Sequence, residues 1–236
     1  MYYNNTTNYS NYNNRSYDNY AQNNRNSNNS AQRNNEQMDS YIRVLHAAPN
    51  APNVDIYAND SLLIDDLEYT EYSDYQPVAS GNYNIQVFPA GERNNPVIDT
   101  NIFIPPNTIY TVAAIGTLPN ISLYPIQEPS NGLRMGEACV RFIHLSPNAP
   151  NVDIKLPDGT TVFRDIGYKN ISNFACVPGG SYTFIVTPTG SDDEVLTVPD
   201  VEIDNNNIYS IYAIGLVGES PELEALLLPE PRYSEL

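Results

Sequence analysis

Beyond residue 40, apolar and polar residues follow each other with a period near two. Tyr83, Ile85 and Val87 alternate with Asn82, Asn84 and Gln86, and Tyr182, Phe184 and Val186 stand in the same way against Thr183 and Ile185. Alternation carried by β-branched and aromatic residues is the signature of strands with one buried face. The pattern predicts strands over 41–46, 53–58, 61–64, 83–87, 97–104 and 109–115, and again over 139–144, 151–156, 160–164, 182–186, 195–203 and 208–214. Pro-, Asn- and Gly-containing breaks such as Asn59-Asp60, Ala90-Gly91 and Pro157-Asp158-Gly159 punctuate them. No stretch of helical period reaches 12 residues. Residues 220–228 are ambiguous by pattern, and their alignment with a strand near Leu123 favours β.

The two series of strands are two copies of one sequence. RVLHAAPNAPNVDIY at 43–57 returns as RFIHLSPNAPNVDIK at 141–155, an offset of 98. The match continues at 99, where Gly81 and Tyr83 meet Gly180 and Tyr182, and Ala113-Ala114-Ile115-Gly116 meets Tyr212-Ala213-Ile214-Gly215. It ends at 102, where Leu123-Tyr124-Pro125 meets Ala225-Leu226-Leu227. The drift marks small loop insertions, and a period this long means tandem domains rather than a solenoid. About seven short strands per copy predict an all-β chain of two tandem antiparallel β-sandwiches, immunoglobulin- or transthyretin-like. The expected boundaries are a disordered arm over 1–40, sandwiches over 41–129 and 138–231, a linker over 130–137 and a tail over 232–236.

Composition separates the arm from the rest. Its 40 residues hold 14 Asn and 6 Tyr and no Leu, Ile, Val or Phe. Such a segment cannot bury enough apolar surface to offset the entropy of ordering it, and Asn/Tyr-rich composition favours self-association. Its charges cancel, so the net −17 belongs to the two copies, with 8 basic and 25 acidic residues. A surface of that sign repels nucleic acid and anionic lipid. No apolar run approaches bilayer length and no basic-then-apolar leader opens the chain, which gives the expectation of no membrane insertion and no ordinary secretion, unless a signal was removed.

The motif His-x-(Ala/Ser)-Pro-Asn-Ala-Pro-Asn-Val-Asp, at 46–55 and 144–153, followed by Gly-x-Tyr, resembles the bacterial domain of unknown function family numbered 4397. The resemblance implies a β-sandwich module, often in tandem on bacterial surfaces, and no established chemistry. With the Asn/Tyr-rich head and without a leader, the chain also resembles spore-coat or exosporium proteins of Firmicutes. These are built from the mother-cell cytoplasm; a cell-surface or secreted location is the alternative.

The expected function is a non-enzymatic structural or assembly protein of a bacterial surface layer. The arm would mediate self-association, with further copies and other surface-layer proteins as partners. The alternative is an adhesin-like module that binds glycan or protein through the Pro-rich loops. A hydrolase is the third reading, and it lacks a Gly-x-Ser-x-Gly elbow, while a phosphate-binding Gly-rich loop is missing too. The motif residues His46, Pro49, Pro52, Asp55, His144, Pro147, Pro150 and Asp153 are expected to be structural. One His per copy is a poor metal set, and each ring is expected to bond the loop backbone or the motif Asp. No cofactor is expected. Clusters Asp65-Asp66, Glu68, Glu71, Asp74 and Asp192-Asp193-Glu194 offer carboxylates for Ca²⁺ but lack calcium-loop spacing. Cys139 and Cys176, whose counterparts are Tyr41 and Pro77, either form a disulfide within the second copy or stay as two thiols.

Overall fold

A computed structural model describes residues 39–129, 136–231 and Leu236. The proposed arm up to residue 38, the linker over 130–135 and the tail over 232–235 lie outside the described residues. Sixteen strands are described, and the two halves of the chain use them identically. In the first half these are β1 (Ser40–His46), β2 (Val54–Ala58), β3 (Ser61–Leu67), β4 (Gln76–Val78), β5 (Gly81–Pro89), β6 (Ile98–Ile104), β7 (Ile109–Ile115) and β8 (Ser122–Gln127). In the second they are β9 (Ala138–His144), β10 (Val152–Lys155), β11 (Thr161–Ile166), β12 (Ala175–Val177), β13 (Gly180–Pro188), β14 (Leu196–Ile203), β15 (Ile208–Ile214) and β16 (Glu224–Glu230).

Each half folds into two four-stranded sheets. The orders are β4-β1-β7-β8 over β3-β2-β5-β6, and β12-β9-β15-β16 over β11-β10-β13-β14. The chain is all-β, with two sandwich units. The pairing is not wholly antiparallel, however: β1 runs parallel to β7, and β9 to β15. Each half also has eight strands rather than seven, because β4 and β12 are three residues long and too short to display an alternation. Ser40, counted with the arm on composition, is the first residue of β1, fully buried, with its hydroxyl donating to the Pro105 carbonyl at 2.6 Å. The ambiguous 220–228 region supplies most of β16.

Apolar side chains between the sheets form the core of each half, as the alternation requires. The central sheets have a second buried face. Leu45, Ala113, Ile115 and Ile126 of the first half pack with Ile143, Tyr212, Ile214 and Leu228 of the second in one cluster. Strands β7, β9 and β15 are therefore buried on both faces and lose the alternation, as central strands do. Residues 37–236 form one compact unit.

The seam is closed at one end by a buried ionic network with approximate two-fold symmetry. Arg43 donates to Glu230 Oε2 at 3.0 Å and to the Pro229 carbonyl at 3.2 Å. Its counterpart Arg141 donates to Glu128 Oε2 and to the Gln127 carbonyl. The guanidinium of Arg43 also donates to Thr111, and that of Arg141 to Ser210, the matching position. All four charged side chains are at most 5% exposed. A buried charge left without its partner is strongly destabilising, so the network fixes how the halves meet.

Candidate functional site

The duplicated motif forms the loop that follows β1 and β9, and its polar residues turn inward. His46 is fully buried. Its Nε2–H donates to the Pro52 carbonyl at 3.1 Å, and Nδ1 faces the Ala48 N–H at 3.4 Å, an arrangement that requires the neutral ring. His144 repeats the first bond, to the Pro150 carbonyl at 3.1 Å. Burial lowers the pKa of both rings. Tyr69 and Tyr168 meet the two rings edge-on, at centroid distances of 6.1 and 6.4 Å. Each ring thus ties down its loop through the backbone, and not through the motif Asp.

The Asp has another partner. Asp55 accepts from the Asp66 and Gly91 N–H groups, both at 2.9 Å, and Asp153 accepts from the Asp165 N–H at 2.8 Å. Asp66 (φ 51°) and Asp165 (φ 54°) have left-handed backbones where the β2–β3 and β10–β11 registers shift. Asn53 and Asn151 hold the side chains of the same two residues at 3.0 and 2.8 Å. The Asn-Val-Asp triplet therefore clamps a β-bulge, whose displaced N–H groups need an acceptor.

Pro49 is buried, while Pro52 and Pro150 are exposed and Pro147 half-buried. These prolines limit the freedom of the loop backbone. The rigid loops of the two halves meet at a cleft of about 310 Å³ lined by Asn50, Thr117, Leu118, Pro147, Asn148, Leu216 and Glu219. Gly116 and Gly215 turn the chain into the loops on its far side, with φ of 92° and 80°. A Cβ at either would run into a backbone carbonyl, of Asn120 or Glu222. Asn148 is committed within its own half: it accepts from the Val217 N–H at 2.8 Å and donates to the Val217 carbonyl and Glu219. Asn50, its counterpart, is exposed and has a left-handed backbone (φ 63°).

Other candidate chemistry disperses. Among the described residues, no group of three or more His, Cys, Asp and Glu converges as a metal site. Asp192 pairs with Lys155 at 2.9 Å, Asp193 accepts from Ser191, and Glu71 accepts from the Glu68 N–H. Burial and the neighbouring Glu230 push the Glu128 carboxyl above the usual range, against the pull of Arg141. A perturbed carboxyl can mark a catalytic site, but Glu128 is 2% exposed inside the seam and no substrate reaches it. Cys139 and Cys176 face each other across β9 and β12 and are joined in a disulfide.

Residues 40–155 match the family described as domain of unknown function DUF4397. That stretch of the chain belongs to the DUF4397 family. It runs from β1 into β10 and so includes both copies of the motif. No curated protein matches the chain. Among solved structures, the C-terminal domain of AlgF from P. aeruginosa is similar over 40% of this chain and 99% of its own, at 18% identity and a TM-score of 0.32. A family 41 carbohydrate-binding module from streptococcal virulence factors, described as recognising alpha-glucan, covers 73% of this chain and 93% of its own at 14% identity and a TM-score of 0.26. A family 26 module from Eubacterium rectale Amy13K, in complex with maltoheptaose, covers 84% and 100% at 11% identity and a TM-score of 0.26. At these scores the likenesses carry no argument about what this chain binds.

Sequence reasoning missed the seam and the cleft. Arg43 and Arg141 were visible as repeated residues, and Glu128 and Glu230 recur at the final offset of 102. A repeated, oppositely charged pair at the two ends of each copy was the available signal.

Proposed function

We propose that the chain is a non-catalytic binding module of a bacterial surface, taking a glycan or protein ligand on the face where the two Pro-Asn loops meet. One observation carries the reading: two loops, each made rigid by its own buried His, converge on a single cleft with Asn50 exposed at its rim. A rigid rim costs little ordering entropy on binding, and amide, hydroxyl and proline groups suit sugar hydroxyls or peptide amides. The acidic body favours a neutral or cationic ligand. The assembly reading rests on the arm, almost all of it outside the described residues, and the described residues add nothing that favours it.

A glycan-array screen followed by calorimetry tests the proposal. Asn50→Ala and Leu118→Ser should each weaken binding about tenfold, a loss of about 1.4 kcal/mol. Asn84→Ala, on β5, should leave it unchanged. A ligand whose affinity ignores both cleft substitutions would refute the assignment.

A further inference from the structure

The two sandwiches share strand order, and register everywhere but at β13–β14, yet not core volume. Pairing register identifies the equivalent positions. Val44 opposite Val112 corresponds to Phe142 opposite Ile211; Ile64 opposite Ile56 to Phe163 opposite Ile154; and Ile85, two residues before Val87, to Phe184, two before Val186. Three phenylalanines of the second core are thus aliphatic residues in the first. In the second half the three are buried in one continuous cluster, with the rings of Phe142 and Phe163 stacked at 6.5 Å. In the first half the buried core breaks into two clusters, one around Val44 and Ile85 and one around Ile42, Ile104 and Val112.

The missing volume is open space. A hollow of about 120 Å³ lies between the sheets of the first sandwich, walled by Val44, Ile56 and Ile85 among others. Ile42, Ile102, Ile104, Val112 and Leu123 wall both this hollow and a groove of about 540 Å³ at the β6–β8 edge. Phe103, 62% exposed on β6, stands at the mouth of the groove. The corresponding edge differs in the second half: β14 has one more residue than β6, with a left-handed Asp200 (φ 53°) at a register shift, and it lies against β16.

We propose that the first sandwich binds a single aliphatic chain with an uncharged or cationic head, the chain lying between β6 and β8 and its end entering the hollow. The lining is aliphatic except for the ring of Tyr83, whose hydroxyl donates to the Ala79 carbonyl at 2.9 Å, and it holds no charged group, so the buried part of the ligand must be hydrocarbon. Enclosed apolar cavities take apolar guests, and the hollow presents the same kind of wall at the inner end of the groove. The residues of the groove with polar side chains are Asp99, Thr100, Tyr110 and Ser122. Asp99 accepts from Asn84 at 2.8 Å and from Gln86 at 3.1 Å, bonds that hold its carboxyl ionised and its pKa below the ordinary value. That groove, on a body of net charge −17, disfavours a carboxylate or phosphate head. The site lies on strands β6 and β8 and does not depend on the loop cleft.

The test uses the full chain and the neutral probe N-phenyl-1-naphthylamine, whose fluorescence rises in an apolar site. The probe should bind, and 1-dodecanol and dodecylamine should displace it at least about tenfold better than dodecanoate. Val44→Phe with Ile85→Phe installs the second core's residues and should lower probe affinity about tenfold or more, with melting temperature held or raised. Should that pair fail to fold, Phe103→Ser, at an exposed position, should still weaken binding severalfold with an unchanged melting temperature. Failure of the probe to bind, equal binding by all three proteins, or displacement led by dodecanoate would overturn the proposal. So would probe binding that disappears on concentration-dependent dimerisation, which would make a second copy of the chain the occupant.

Discussion

The second sandwich is filled and stapled; the first is hollow and unstapled. Phe142, Phe163 and Phe184 close the second core, and the Cys139–Cys176 disulfide ties β9 to β12. The first has Val44, Ile64 and Ile85, and Tyr41 beside Pro77 where the cystines stand. Both halves keep the His-Pro-Asn-Asp motif and the Arg of the seam. The contrast separates two kinds of residue. The motif positions build loops and bulges that both copies share, while the core positions differ between them. The hollow leaves the first core with fewer packing contacts, at a cost in stability. A fully packed neighbour joined across an apolar seam can carry that cost.

The seam should show the largest energetic difference between the halves. Glu230 receives Arg43, Tyr75 and Tyr212 and lies 3.9 Å from Arg141, whereas Glu128 is paired with Arg141. Glu230→Ala should cost roughly 3–5 kcal/mol in urea denaturation, and Glu128→Ala should cost less; equal losses would mean that the network is symmetric in energy as well as in layout. Next comes the staple. Cys139 and Cys176 are 37 positions apart, and chain entropy gives roughly 3–4 kcal/mol for closing such a loop. Reduction should lower the midpoint accordingly, and a Cys139→Tyr, Cys176→Pro chain, carrying the first half's residues, should behave like the reduced protein.

Core exchange is a smaller effect with opposite signs in the two halves. Phe142→Val should destabilise by about 2–3 kcal/mol, while Val44→Phe should cost under about 1 kcal/mol or stabilise. Comparable losses at both sites would deny the hollow. Smaller again is the titration of the two His. Their folded pKa values lie below the unfolded one, so the stability they contribute is present above about pH 6.5 and is lost as pH falls through the folded values. Glu128 acts in the opposite sense: its folded pKa is raised, so its contribution is present below about pH 4.3 and fades as pH rises through the folded value. His46→Gln and His144→Gln should each cost roughly 1–3 kcal/mol at neutral pH and flatten the acid limb of the stability profile, and Glu128→Gln should flatten the alkaline limb. Removing residues 1–38 should leave the melting temperature unchanged, since β1 begins at Ser40. A large drop by calorimetry would show that the arm contributes to the fold.

Much of the fold was legible because period-two alternation reports a half-buried strand directly. Tyr83, Ile85 and Val87 fall on β5, and Tyr182, Phe184 and Val186 on β13. The parallel pairing of β1 with β7 was not legible, because strand order depends on contacts distant in sequence. The seam left a trace: IYTVAAI and IYSIYAI hold almost no polar residue, which is what burial on both faces demands. Within the candidate site, the recurring His and Asp identified the loop but not their partners. Asp55 reaches a bulge 11 residues away whose left-handed Asp66 nothing in the sequence pattern announces. The hollow was in principle readable, as the Phe-to-aliphatic changes at aligned positions, once the alignment was treated as a comparison of volumes.

We infer that the two copies of one fold do different work, one as a packed anchor and the other as an open receptor. Hydrogen–deuterium exchange of the full chain, resolved strand by strand, tests it most directly. Amides of β6 and β8 should exchange at least about tenfold faster than those of β14 and β16 in the free protein, and should slow on adding 1-dodecanol while β14 and β16 stay unchanged. Equal protection of the two edges, with no response to the alcohol, would contradict the account.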